Sequence, residues 1–106
     1  MDLTSKQRAQ LRGLANGIDT ILMVGKEGIG ENLIAQANGA LDTRELIKGK
    51  VLETAPMSPQ EVAEALAPVT RSEVVQVIGT KFVLYRRNHT KEDKIILVGE
   101  KKTKKA

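Results

Sequence analysis

Apolar residues recur along this chain in two patterns, which together predict helices alternating with short strands. Apolar positions three and four residues apart predict a first helix at residues 5–15 and a second at about residues 31–41. The apolar run at 21–24 is too short for a helix and is bounded by turn residues, so it predicts a buried strand. A second strand is expected at 45–52, where Gly49 indicates a bulge or a close neighbour.

Capping residues mark the start of a third helix. Ser58 precedes a proline and is followed three residues later by Glu61, a spacing that allows reciprocal capping hydrogen bonds. The helix is therefore expected to run from residue 59 to about residue 70. Pro68 lies inside it and is expected to kink the helix or to end its regular part early. Thr4 gives a similar capping signal before the first helix.

The remaining apolar segments predict a hairpin and a C-terminal arm. Strands are expected at 74–78 and 82–87, joined by a tight turn at 79–81, so this pair should be antiparallel. The short apolar segment 95–98 is predicted to add an edge strand or to pack as an extended arm. Residues 99–106 have nothing to bury and are expected to be disordered.

The order helix, strand, helix, strand, helix, strand, strand predicts a small layered α/β domain with a mixed four-stranded sheet. With 106 residues and no internal repeat, the chain is expected to form one domain at 1–98 followed by a lysine-rich tail. The absence of cysteine excludes disulfides and thiolate nucleophiles. Because no apolar run approaches the length of a membrane span, we expect a cytoplasmic protein that does not bind membranes.

The net charge of +4 is unevenly distributed along the chain. Residues 91–106 contain six lysines and three acidic residues, which leaves 11 basic and 10 acidic residues in residues 1–90. The predicted domain is therefore almost neutral. A surface that binds an anion must arise from basic side chains gathered on one face, not from the overall charge.

A Gly-x-x-Gly turn, made by Gly25 and Gly28, separates the first strand from the second helix. Paired glycines let the backbone approach a ligand closely, and the start of a helix offers unpaired N–H groups and the positive end of its dipole. A phosphate is the natural ligand, and Lys26 would add a positive charge. The alternative is a purely structural turn that needs glycine for steric reasons.

Further basic residues are expected to share a surface with this turn. Arg8 and Arg12 are four residues apart on the first helix, where a bound anion would relieve their repulsion. Lys48 and Lys50 share one face of the second strand and should point to solvent or ligand. Arg86, at the end of the fourth strand, is a candidate phosphate contact. The alternatives are a solvated helix face and strand lysines that prevent edge-to-edge aggregation.

No catalytic constellation is recognisable in the sequence. His89 is the one histidine and is most simply a surface residue in a polar stretch, and no nucleophile pair, carboxylate pair or metal-ligand spacing accompanies it. The lysine after Gly25 does not close a nucleotide-binding P-loop motif. We therefore expect no enzymatic activity, no cofactor and no metal ion.

Four segments occur in an order and spacing that match a known domain: Leu-Thr-x-Lys-Gln-Arg at 3–8, Val-Gly-Lys-Glu-Gly-Ile at 24–29, Glu-Leu-Ile-Lys-x-Lys-Val at 45–51, and Val-Gln-Val-Ile-Gly-Thr-Lys-Phe-Val-Leu-Tyr-Arg at 75–86. Together they resemble the YhbY-type CRM domain, the chloroplast RNA splicing and ribosome maturation module. Two positions depart from the family pattern. Gly30 stands where family members commonly have a hydroxyl residue, and Glu27 places a negative charge inside the turn.

The resemblance implies an RNA-binding domain with a fold similar to the C-terminal domain of translation initiation factor three. Stand-alone bacterial members of the family are associated with precursors of the large ribosomal subunit. The expected function is therefore a monomeric assembly factor that contacts ribosomal RNA in such a particle. The alternative is an adaptor that docks on a ribosomal or assembly protein, since a small sheet domain with an exposed helix face can do so.

The aromatic content predicts how RNA would be recognised. Proteins that bind single strands usually stack bases on aromatic side chains, with about 1–3 kcal/mol per base. This chain has only Phe82 and Tyr85 for that purpose, and both are predicted to lie in the core. We therefore expect recognition of folded or duplex RNA through its backbone shape and 2′-hydroxyl groups, with strong salt dependence.

Overall fold

The computed structural model describes residues 3–87 and Leu97, and within them it has three helices and four strands in the predicted order. Helix α1 has the predicted bounds, whereas α2 continues three residues beyond the predicted end because Leu41 is buried and Asp42 is held by an arginine from the sheet. The elements are α1 (Ser5–Ala15), β1 (Thr20–Val24), α2 (Glu31–Arg44), β2 (Leu46–Val51), α3 (Pro59–Thr70), β3 (Glu73–Ile78) and β4 (Lys81–Tyr85).

The four strands form one mixed sheet in the order β1-β2-β4-β3. β1 and β2 are parallel, and the β2–β4 and β3–β4 pairs are antiparallel. The predicted mixed sheet and the predicted hairpin are therefore both confirmed. None of the helices within residues 3–87 offers the length and apolarity that crossing a bilayer requires.

Each side of the sheet carries its own apolar core. The larger core joins β1, β2 and β4 to α2 and α3, and its members include Leu22, Leu41, Ile47, Leu66 and Phe82. The smaller core lies under α1 and consists of Leu11, Ala15, Leu46, Val75, Val83, Tyr85 and Leu97. Alternate residues of β2 and β4 thus face opposite cores, as expected from the two-residue period of a strand.

The C-terminal predictions lie almost wholly beyond the described residues. Within the predicted arm at 95–98, only Leu97 is described, and it is buried in the core under α1. The predicted disorder of 99–106 and the predicted surface position of His89 fall outside the described residues.

Local hydrogen bonds set the ends of the helices. The Ser58 hydroxyl accepts from the Glu61 N–H at 3.2 Å, and the Glu61 carboxylate accepts from the Ser58 N–H at 2.9 Å, which confirms the predicted capping box. Thr4 caps α1 in the same reciprocal way. The predicted end of α3 near residue 70 is confirmed, since the helix stops at Thr70, where Arg71 adopts a left-handed conformation with φ 56°. Of the two effects expected of Pro68, a kink or an early end, the early end is wrong.

The close neighbour that Gly49 predicted is the ring of Phe82. A Cβ atom on Gly49 would lie 2.3 Å from Cζ of Phe82 and less than 3 Å from two further ring atoms. The two residues are direct partners in the β2–β4 register, and the ring covers the glycine on the side of the larger core. Glycine is required here because the ring occupies the space of a side chain.

Gly49→Ala should lower the free energy of unfolding by about 1–3 kcal/mol, since the added methyl group displaces a fully buried ring. Gly39→Ala is the matched control, because nothing lies within 4 Å of a Cβ at this position in α2. The control should be up to about 1 kcal/mol more stable than the parent. Urea denaturation measures both effects, and equal midpoints for Gly49→Ala and the parent would contradict the proposed contact.

Tyr85 should ionise at unusually high pH. Burial raises the pKa of its hydroxyl above 10.0, the charge of Arg87 lowers this pKa, and the charge of Glu45 raises it. The unfolded chain should therefore lose the proton first, so the free energy of unfolding should fall as the pH rises above about 10. Because the chain has one tyrosine and no tryptophan, phenolate absorbance isolates this group. The prediction would be contradicted if the pH at the midpoint of the phenolate titration were no higher for the native protein than for the urea-unfolded chain. Tyr85→Phe is the control, because it has no phenol to titrate.

Candidate nucleic-acid interface

The Gly-x-x-Gly turn directly follows β1 and is closed by a hydrogen bond from the Gly28 N–H to the Gly25 carbonyl at 2.9 Å. Gly28 has a φ of 67°, and a Cβ there would lie 3.3 Å from Cγ of Pro56. Gly25 has no such conformation, and its Cβ would meet Leu52 at an ordinary 3.8 Å. The turn therefore requires glycine at position 28, whereas at position 25 glycine leaves the backbone uncovered.

Two residues separate this turn from helix α2, which has no side-chain cap. Gly30 is the N-cap, in an extended conformation with φ −129°, and it cannot donate or accept through a side chain. The first N–H groups of a helix have no partner within the helix, and they carry the positive end of its dipole. A surface cavity of about 700 Å³ lies against the turn and the first turn of α2. This start of α2 is open to an acceptor group from outside.

Side chains of both signs line the cavity. Lys26 is exposed at its rim, but so are Glu27 and Glu31. A phosphate would be attracted by the lysine and the helix start, and repelled by the two carboxylates. Additional positive charge must therefore come from neighbouring strands if an anion is to bind here.

Lys48 and Lys50 lie on β2, the strand that pairs with β1. They lie on the opposite face of β2 from Ile47 and Val51, which belong to the larger core. The predicted orientation of the two lysines away from that core is therefore confirmed. Both are half-buried. Lys50 is the register partner of Met23, the residue two positions before Gly25, so it lies one strand away from the start of the turn.

Arg86 is placed elsewhere. Its Nη1 donates to Asn38 Oδ1 and to the Thr70 carbonyl, both at 2.8 Å. Its Nη2 donates to the Asn38 carbonyl at 3.0 Å and to the Asp42 carboxylate at 2.6 Å. This side chain, 20% exposed, fastens α2 and α3 to the end of β4 that is remote from the turn.

The two arginines of α1 differ from each other. Arg8 donates from Nη1 to the Val74 carbonyl, and its Nη2 lies 3.9 Å from the Glu73 carboxylate. These partners belong to β3, which is three strand spacings, about 14 Å, from β1. Arg12, one helical turn further along α1, is exposed.

The expectation that all the basic residues share one surface is therefore wrong for Arg8 and Arg86. Both lie at the end of the sheet opposite the turn, and their guanidinium groups are engaged with backbone and side-chain acceptors of this domain. The structure does bring Lys50 close to the start of the glycine turn, because it pairs with Met23, whereas Lys48 pairs with Thr20 at the other end of β1. Contact with RNA at these residues and at Arg12 stays a prediction.

Lys81 is a basic residue that the sequence analysis missed. The sequence pattern predicts it in the hairpin turn at 79–81, but β4 begins with Lys81, and its register partner in β2 is Lys50. The alternation of side chains could have indicated this position. If the predicted strand at 82–87 is extended by one residue at its start, residues 81, 83 and 85 share a face. Within residues 3–87 no three His, Asp or Glu side chains come close enough together to hold a metal ion.

Comparisons with known proteins agree with the sequence resemblance. A family model of the CRS1 / YhbY (CRM) domain matches residues 3–86. A Bacillus subtilis protein named probable RNA-binding protein YqeI is 45% identical over 94 residues, covering 89% of this chain and 96% of the relative. A Haemophilus influenzae protein named RNA-binding protein is 37% identical over 84 residues, covering 79% of this chain and 85% of that relative.

A solved structure extends the comparison to the fold. The solution structure of SAV1595 from Staphylococcus aureus matches with a TM-score of 0.75 and 49% sequence identity. The match covers 91% of this chain and 99% of that protein. The similarity thus holds for sequence and backbone together over almost the entire domain.

Gly28→Ala should lower the free energy of unfolding by about 1–2 kcal/mol, because alanine is strained at positive φ and its methyl group would press on Pro56. Gly25→Ala, in the same turn, should leave stability unchanged within about 0.5 kcal/mol. Chemical denaturation of the two variants checks the difference. If both lost the same stability, the assignment of distinct roles to the two glycines would be wrong.

Proposed function

Because the chain belongs to the CRS1/YhbY (CRM) domain family, we propose that it is a non-enzymatic RNA-binding protein that acts in ribosome assembly. Its ligand in this proposal is ribosomal RNA within precursors of the large subunit, and it acts as a monomer in the cytoplasm. The names of its relatives support RNA as the ligand. The family resemblance supports the ribosomal target.

The observation that carries the proposal is the combination of a glycine turn, an uncapped helix start and strand lysines at one end of the sheet. The uncapped N–H groups of α2 would donate to phosphate oxygens, and Gly25 leaves room for the RNA backbone to approach. Lys26 and Lys50 would offset the repulsion from Glu27 and Glu31. Each part is weak alone, but an RNA backbone presents several phosphates to several donors at once.

Recognition through the backbone, and not through base stacking, follows from the position of the aromatic residues. Phe82 and Tyr85 are fully buried, and the chain contains no other phenylalanine, tyrosine or tryptophan. No such ring is therefore available as a stacking platform for unpaired bases. Lysine is a flexible point charge that suits phosphates better than base edges. These features favour duplex or folded RNA, read by shape.

Binding should be salt-dependent and should weaken when Lys26 is reversed. The experiment is a titration of the full chain with a fluorescent RNA hairpin and with a single strand of equal length, at several potassium chloride concentrations. The hairpin should bind more tightly, and the logarithm of its association constant should fall linearly with the logarithm of salt concentration. Lys26→Glu should reduce affinity about tenfold or more. No binding of either RNA by the parent chain would overturn the proposal.

The matched control for this titration is Arg44→Glu. Arg44 is exposed in the last turn of α2, and the helix of 14 residues places it about 20 Å from the helix start. The control changes net charge equally and should retain affinity within about twofold. Co-sedimentation with large-subunit precursors then separates two partners. If RNA is the ligand, Lys26→Glu combined with Lys50→Glu abolishes association, whereas a dominant protein contact would leave it intact.

A further inference from the structure

Helix α1 covers only part of its side of the sheet. It packs over Leu46, Val75 and Tyr85, which lie at the end of the sheet remote from the glycine turn. At the turn end, register pairs align four residues across all four strands, and these residues, here called the sheet row, are Met23, Lys50, Lys81 and Ile78. Their neighbours in sequence, Leu22, Gly49, Phe82 and Val77, face the larger core, so the sheet row faces the α1 side.

Three of the four residues of the sheet row are exposed, Lys50 is half-buried, and the centre of the row is positively charged. Met23 is 61% exposed and Ile78 60% exposed, and Lys81 is exposed as well. Lys48 lies one pleat away from Lys50 on the same side. Among the described residues, the sheet row and Lys48 together contribute three lysines and no carboxylate to this side of the sheet.

The two central lysines are in an arrangement that disfavours the free protein. Lys50 and Lys81 are direct partners across antiparallel strands, where like charges repel and reduce stability. A bound anion that spans both ammonium groups would remove this repulsion. The arrangement therefore indicates a ligand that carries closely spaced negative charges.

We propose that the sheet row is part of the RNA-binding surface, so that a bound duplex crosses the strands from the glycine turn to the β3–β4 hairpin. Lys50 and Lys81 contact adjacent phosphates, while Met23 and Ile78 pack against ribose at either end of the row. The row spans three strand spacings, about 14 Å. This inference rests on the proposed function and adds to it a direction of binding and a phosphate contact, Lys81.

A protein partner fits the sheet row less well. Protein interfaces place apolar residues at the centre and charged residues at the rim. Here the order is reversed, since the apolar Met23 and Ile78 stand at the ends and the lysines lie between them. The negatively charged backbone of an RNA can pair with the two lysines at the centre of the row.

The first test uses the absence of cysteine from the chain. A single cysteine introduced by Ile78→Cys can be alkylated with N-ethylmaleimide, with and without a saturating RNA hairpin. Val69→Cys is the matched control, because Val69 is a similarly exposed apolar residue, at 53%, near the end of α3. RNA should slow alkylation at position 78 at least fivefold and leave position 69 within twofold. Equal rates at position 78 with and without bound RNA would overturn the inference.

The second test separates a ligand contact from a structural role. Lys81→Gln should raise the thermal midpoint of the free protein, because it removes the repulsion with Lys50. It should also weaken hairpin binding and reduce the slope of log affinity against log salt by about 1. Arg44→Gln should change neither slope nor affinity. An unchanged slope and affinity for Lys81→Gln would overturn the inference.

The two proposals fail in different ways. If the parent chain binds no RNA, the proposed function is overturned, and the inference that rests on it is overturned with it. If the parent chain binds the hairpin with the expected salt dependence and Lys26→Glu weakens binding, but position 78 is unprotected, only the sheet row is excluded. Protection of position 78 by a purified ribosomal protein and not by the hairpin would assign the row to a protein partner instead.

Discussion

The contact between the Phe82 ring and Gly49 is the constraint on which the other features depend. Within β2, residue 49 alone has no side chain, and the ring fills that space. The contact therefore favours one alignment of β2 with β4, in which Lys50 lies opposite Lys81. A slip of one residue would turn lysines toward the larger core and apolar residues toward solvent. Packing inside the domain thus determines which charges become neighbours outside it.

The two sides of the sheet are used differently. On the side of α2 and α3, apolar packing is continuous and Arg86 joins both helices to β4 through four hydrogen bonds. On the other side, among residues 3–87 and Leu97, α1 and Leu97 cover one end of the sheet, and the end beside the glycine turn has no such cover. The open end combines backbone donors, lysines and little acidic charge from the strands. In β4, Phe82 and Leu84 pack in the larger core and stabilise the fold, whereas Lys81 belongs to the candidate interface.

The sequence was sufficient to predict features that depend on neighbours a few residues apart. The capping box at Ser58, the hairpin, the opposite faces of Ile47 and Lys48, and the crowding at Gly49 all follow from local spacing, and the structure confirms them. Local spacing could not reveal the partners of Arg86, because Asn38 lies 48 residues away in sequence. The pairing of Lys50 with Lys81 likewise depends on the register of two strands, β2 and β4, that α3 and β3 separate along the chain. The sequence predicted the general position of the candidate site. Which basic residues lie close together there could be known only from the tertiary fold.

The alternation of residues in β2 has a consequence for how chain length can vary. An added or deleted residue inside this strand would exchange its two faces beyond that point, burying ammonium groups and exposing apolar side chains. The connection between β2 and α3 is free of that restriction, because it contains residues 52–58 and no strand. We therefore expect length differences among homologous chains to collect in such connections, while the strands that carry the lysines keep a fixed number of residues.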